Sequence, residues 1–158
     1  YIEQSRSLTP QQVVKLFDYL REAFSYIVVD MGTSVDKLNM TILENSDIIL
    51  LVTIVNLPLI RNCQRCLDLF ENLEFPANKT KIIINRYLEN DEITVEDVEK
   101  ALNKNVYWKV PNNYFTIMSS INKGIPVSEV NENSNITESF SQLASKLTDD
   151  LFETDITE

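Results

Sequence analysis

The sequence predicts an α/β protein whose mostly parallel sheet carries helices on both faces. Two observations lead there. Four segments, Tyr26–Met31, Ile48–Ile54, Lys81–Arg86 and Val106–Val110, are dominated by apolar and β-branched residues, and stretches with helical periodicity separate them. Strands buried on both faces show such near-continuous apolar runs, and parallel neighbours need long crossovers that a helix supplies. Ligands of open α/β sheets sit beyond the carboxyl ends of the strands. The polar residues at those ends, Asp30, Thr53, Asn85 and the Pro111-Asn112-Asn113 turn, are therefore the first candidates for function.

Each element has its own signal. Thr9-Pro10-Gln11-Gln12 places an N-cap, a proline at the first helical position and a capping-box glutamine in order. Val13, Leu16, Phe17, Leu20 and Phe24 then recur at helical spacing, which predicts a helix to about Phe24. Tyr26–Met31 reads as a buried strand that meets a turn at Asp30-Met31-Gly32. A helix is expected over Leu38–Glu44, a strand over Ile48–Ile54, and a helix from Pro58 to Leu73 with Leu59, Cys63, Cys66, Leu67 and Phe70 on one face. Pro76-Ala77-Asn78 breaks the pattern before the third strand. Thr94-Val95-Glu96-Asp97 is a capping box with Asp in place of Glu and opens a helix to about Leu102. Pro111 stops the fourth strand, a helix over Tyr114–Asn122 ends near Gly124, and a last helix aligns Ile136, Phe140, Leu143, Leu147 and Leu151.

Composition excludes several classes of chemistry. With 158 residues the chain suits one domain, and folding at this size hides roughly 70% of the unfolded surface. A net charge of −10 argues against direct, sequence-independent binding of nucleic acid, which needs clustered Lys and Arg. Histidine is absent, so His-based triads, metal sites and proton shuttles are excluded. The longest apolar run, Ile48–Val52, is far short of the roughly 20 residues that cross a bilayer. Only Gly32 and Gly124 are glycines, so neither a G-x-x-x-x-G-K-[ST] loop nor a G-x-G-x-x-G turn is present. Together with the start at Tyr1 rather than Met, this sets the expectation that the sequence begins mid-protein, after a phosphate-binding loop. A cytoplasmic location follows from two cysteines three residues apart that cannot staple a secreted fold.

Individual residues leave alternatives open. An aspartate closing an apolar strand, as Asp30 does, can face a magnesium ion or simply cap the next segment. Asn85 can meet a ligand or satisfy a turn. Cys63 and Cys66 form C-x-x-C, but on a helix face directed at the core they read as core thiols. Tyr107 and Trp108 lack the basic surroundings of a stacking platform and read as packing residues.

Six blocks taken together are more specific: Tyr26-Ile-Val-Val-Asp-Met-Gly-Thr-Ser34, Asp47-Ile-Ile-Leu-Leu-Val-Thr53, Leu57-Pro-Leu-Ile-Arg-Asn62, Lys81-Ile-Ile-Ile-Asn-Arg86, Val110-Pro-Asn-Asn-Tyr114 and Ile121-Asn-Lys-Gly-Ile-Pro126. In this order they resemble the successive blocks of the MinD/ParA-type P-loop ATPases, and most of all the CpaE/TadZ branch associated with pilus assembly. The resemblance covers about residues 10–147. It implies residues 1–150 as the C-terminal part of one ATPase domain, with 151–158 as an acidic tail.

By that resemblance Asp30 is the Walker B-like carboxylate that holds Mg2+ through water, and Gly32 and Thr33 open the switch region that senses the γ-phosphate. Asn85, with Arg86, and the turn Pro111, Asn112 and Asn113 would receive the base of ATP or ADP. Arg61 corresponds to a surface used for partner or dimer contacts, or is a solvated arginine on a helix face. The chain departs from many relatives at Asn113, where they carry Asp, and at Met31-Gly32, where they carry Pro. The implied function is an ATP-binding switch that dimerises around ATP-Mg and positions or regulates a pilus-assembly or secretion machine. A non-enzymatic scaffold with a degenerate site and a chromosome-, plasmid- or division-site ATPase are the alternatives. The parent protein is expected to be a weak ATPase and this chain alone inactive, because nothing in it wraps the β- and γ-phosphates. MinD ends in a basic amphipathic helix, whereas Asp149, Asp150, Glu153 and Asp155 make direct membrane binding unfavourable here, so recruitment to the membrane or a cell pole would run through partners. In the family the P-loop strand lies beside the Asp30 strand. That edge is therefore expected to be covered by the missing half or by another chain.

Overall fold

The computed structural model describes residues 8–34 and 36–155, with side chains through residue 152. The chain divides into two compact units, Tyr1–Ile49 and Leu50–Glu158.

In the first unit, helix α1 (Pro10–Ala23) starts at the expected capping box. The Gln12 amide N–H donates to Thr9 Oγ1 at 3.3 Å, and Thr9 N–H donates to Gln12 Oε1 at 2.8 Å. The two bonds satisfy backbone groups that a helix start otherwise leaves without partners. Val13 and Phe17 form its buried stripe. Helix α2 (Lys37–Glu44) is capped by Asp36, whose Oδ1 accepts from Asn39 N–H at 2.9 Å. Arg21 joins the two helices by donating to the Asn45 carbonyl at 2.6 Å.

The expected strand over Tyr26–Met31 does not form. Residues 24–36 contain no helix or strand among those described, and Val28 is 95% exposed. β-branched residues favour a strand only when a neighbour completes the hydrogen-bond ladder and covers the side chains. No described strand pairs with this run.

The second unit holds, apart from Ile49, a three-stranded sheet in the order β1-β2-β3, namely Ile49–Thr53, Thr80–Tyr87 and Val106–Pro111, with β2 and β3 parallel. Helix α3 (Leu57–Asn72) links β1 to β2, and α4 (Val95–Leu102) links β2 to β3. The unit ends with α5 (Tyr114–Lys123), the short α6 (Val127–Val130) and α7 (Asn135–Asp155). Side chains alternate across the central strand, so Ile82 and Ile84 pack with Ile60, Cys63, Val98 and Leu102 of α3 and α4. Ile83 points the other way, into a cluster with Val110, Ile136, Ile117 and Leu143. The sheet is thus covered by helices on both faces, as the apolar runs predict. Cys63 is buried in the first cluster and Cys66 is half-buried beside it, and burial raises both thiol pKa values.

Local signals set the element ends. Pro58 stands in the first turn of α3, Thr94 and Asp97 cap α4 reciprocally, and Gly124 adopts a left-handed φ of 65° after α5. The stripe on α7 is shifted from expectation. Its buried arc passes through Ile136, Ser139 and Leu143, and Trp108 Nε1 donates to Ser139 Oγ at 3.0 Å. Phe140 is about 100° round the helix from Ser139. It therefore lies at the margin and is 41% exposed.

Candidate functional site: a polar ledge at the strand ends

At the carboxyl end of β2 the chain leaves regular geometry. Asn85 Oδ1 accepts from Arg86 N–H at 2.9 Å, and Arg86 adopts a φ of 53°. Ladder register also shifts between Ile84 and Tyr87, the signature of a bulge. A left-handed non-glycine residue costs on the order of 1 kcal/mol and persists only where the surroundings enforce it. The ladder does so here: Tyr87 is in register with Pro111, and Asn112 N–H donates to the Tyr87 carbonyl at 3.0 Å.

Those bonds bring Asn85 and Arg86 together with Pro111, Asn112 and Asn113. Asn113 is fixed twice, since it caps α5 by accepting from Thr116 N–H at 3.2 Å and donates through Nδ2 to Asn135 Oδ1 at 2.8 Å. Lys109 Nζ lies 4.9 Å from the centroid of the Tyr87 ring. Tyr87 and Lys109 flank the ledge and have no separate signal in the sequence, because each reads as an ordinary strand residue. The result is a shelf of amides and backbone groups at the end of the sheet where α/β proteins bind ligands.

The remaining candidates lie elsewhere. Asp30, Gly32 and Thr33 belong to the irregular segment of the first unit, and all three are exposed. Because no strand forms there, Asp30 does not terminate one. A Cβ built on Gly32 would meet no atom within 4 Å, so local space does not demand glycine. Downstream the segment is anchored: Ser34 Oγ donates to Asp36 Oδ2 at 3.1 Å, and Asn39 Nδ2 donates to the Ser34 carbonyl at 2.8 Å. Arg61 is exposed on α3. Thr53 is buried, and its hydroxyl donates to the Ile54 carbonyl at 3.2 Å, a structural use.

No group of three or more Cys, Asp or Glu residues among those described could hold a metal by itself. Magnesium in nucleotide sites does not need one, since one or two carboxylates and the phosphates complete its octahedron with water. Asp30 offers a single exposed carboxylate of the required chemistry. No helix of the described residues is long and apolar enough to cross a membrane.

No protein-family model matches the chain. The septum site-determining protein MinD of Thermotoga maritima is 28% identical over 151 residues, covering 92% of this chain and 55% of that protein. A ParA family ATPase from Chlorobium tepidum superimposes with a TM-score of 0.81 at 27% identity, over 87% of this chain and 57% of the other. The chain has the MinD/ParA-type P-loop ATPase fold. MinD of Pyrococcus horikoshii, solved with Mg-ADP, shares that fold at a TM-score of 0.72 and 17% identity, over 88% of this chain and 56% of the other. The chain spans about half the length of the curated relative it matches, 55% in the Thermotoga case. Within the MinD/ParA-type fold the Asn85–Asn113 ledge occupies the carboxyl ends of two adjacent parallel strands.

Proposed function

We propose that the protein containing this chain is an ATP-binding molecular switch that dimerises around ATP-Mg and positions or regulates a pilus-assembly or secretion machine in the cytoplasm. The ledge carries this reading, because it gathers five polar or turn-forming candidates at the strand ends and holds them by hydrogen bonds. Asn85 turns its Oδ1 to its own chain, so its Nδ2 donors are suited to an acceptor nitrogen of adenine, with Arg86 and Pro111–Asn113 bordering the base. Asp30 would hold the water shell of magnesium, and Gly32 and Thr33 would respond to the γ-phosphate. Arg61 would contribute to a partner surface. The phosphate-binding loop would come from a segment outside these 158 residues. Its strand would cover the apolar run at Tyr26–Met31, whose exposure supports this assignment.

Isothermal titration of the full protein with ATP and magnesium tests the proposal. Saturable binding that Asn85→Ala weakens supports it, and the absence of heat at millimolar nucleotide leaves a non-enzymatic scaffold. The septum-site and ParA relatives favour a second reading, a division-site or partition ATPase. A fluorescent fusion separates the two: foci that follow the pilus or secretion apparatus support the first, and septal or nucleoid localisation supports the second.

A further inference from the structure

The opposite end of the sheet carries a second polar feature. At the amino ends of β2 and β3 an open cavity of about 400 Å³ is lined by Lys81, Lys104, Lys146, Asn78, Asn105 and Tyr107, among others, and no lining residue is acidic. In a chain with 24 carboxylate side chains against 14 basic ones, such a lining is unexpected by chance. The adjoining cavity of about 370 Å³ shows the contrast, since Asp68, Glu71 and Glu74 line it.

The three ammonium groups are held in place by different elements. Lys81 is the second residue of β2, and its Nζ lies 5.0 Å from the Tyr107 ring centroid and 3.0 Å from Asp150 Oδ2. Lys146, on α7, reaches the same ring at 4.9 Å. Lys104 follows α4 and donates to the Ala77 carbonyl at 2.6 Å. Burial, and after it the charge of Lys81, lowers the Lys104 pKa. Burial, with Asp150 and Asp149, pushes the Tyr107 phenol up to about 12, so at neutral pH it adds no negative charge. The Asp150 and Asp149 carboxylates offset two of the three lysine charges and leave the cluster net positive.

We propose that this cavity is a binding site for a small phosphate-bearing anion of two or more charges, separate from the nucleotide ledge. Its volume lies within the usual range for small-molecule pockets of about 300–1,000 Å³. Lysine ammonium groups serve as point charges with three donors each, which suits phosphate, and the Asn78 and Asn105 amides add neutral donors.

The probe is inorganic pyrophosphate, titrated into the chain without magnesium at moderate salt and followed by two-dimensional amide NMR. The expected result is saturable movement of the Asn78, Asn105, Val106 and Tyr107 signals. Lys104→Gln and Lys146→Gln should each weaken binding by about fivefold, the scale of one partly exposed charge, while Asn85→Ala leaves it unchanged. Lys146 is exposed on α7, so Lys146→Glu provides a test that does not disturb the core, and it should abolish the response. Unchanged affinity in the Lys104→Gln/Lys146→Gln double variant, or signals that move only at Asn85–Asn113, would overturn the proposal.

Discussion

The Asn85–Asn113 ledge and the Asp30 segment both contain candidates that the sequence places at strand ends, yet the structure treats them differently. Asn85, Arg86, Pro111, Asn112 and Asn113 are held by the β2–β3 ladder and by the caps around it. Asp30, Gly32 and Thr33 follow a run that has the composition of a buried strand and remains exposed. Both runs consist of the same residue types. The difference shows that a β-branched run becomes a strand through its neighbours: Ile82–Ile84 has one on each side, and Ile27–Val29 has none among the described residues.

The largest test of that contrast is stability. Ile84 is fully buried between α3 and α4, so Ile84→Ala should destabilise the chain by about 2–5 kcal/mol in urea melts, through lost transfer energy and an unfilled cavity. Val28→Ala should change it by less than about 0.5 kcal/mol, as expected at an exposed position. In a longer form in which an added strand covers Val28, the cost should rise to about 1.5 kcal/mol or more, the lower bound for burying such a side chain. Equal effects of Val28→Ala in both forms would remove the basis for a covering strand at Tyr26–Met31.

A second experiment asks whether the two regions serve one nucleotide. In the full protein, Asn85→Ala should weaken ATP by about tenfold, close to the value of one lost hydrogen bond in a partly buried site. It should weaken ADP equally, because both share the base. Asp30→Asn should instead reduce the gain in affinity that magnesium provides. If Asn85→Ala altered only magnesium dependence, the base-side and metal-side assignments would have to be exchanged or abandoned.

What could be read from the sequence divides along the same line. Capping signals at Thr9-Gln12 and Thr94-Asp97 are local, so the helices they start were predictable to within a residue or two. Apolar continuity marked β1, β2 and β3 because each pairs with at least one neighbour in this chain, β2 with two. The same signal at Tyr26–Met31 gives no strand among the described residues, because apolar continuity carries no information about partners. The bulge at Arg86 was hidden too, since a left-handed arginine has no compositional mark of the kind glycine leaves. Lys81, Lys104 and Lys146 come from a strand, a loop and a helix with no shared spacing, and only the fold brings them to one cavity.

The smallest expected effect concerns the cap of α4. Helix α4 leads into β3, and its box is closed by Asp97 Oδ2, which accepts from Thr94 N–H at 3.0 Å and from Thr94 Oγ1 at 2.8 Å. Bonds to the Thr94 side chain and then its backbone lower the Asp97 pKa below the ordinary carboxylate value. A folded-state pKa below the unfolded one means the contribution is complete above the unfolded value, about 3.9. It is lost as pH falls through the lower, folded value. Thr94→Ala should therefore lower the melting temperature at pH 7, and the gap from the parent chain should narrow as the pH is brought from 5 toward 2. A gap for Thr94→Ala that stayed constant across this range would assign the cap's effect to the threonine alone and leave Asp97 without a part in it.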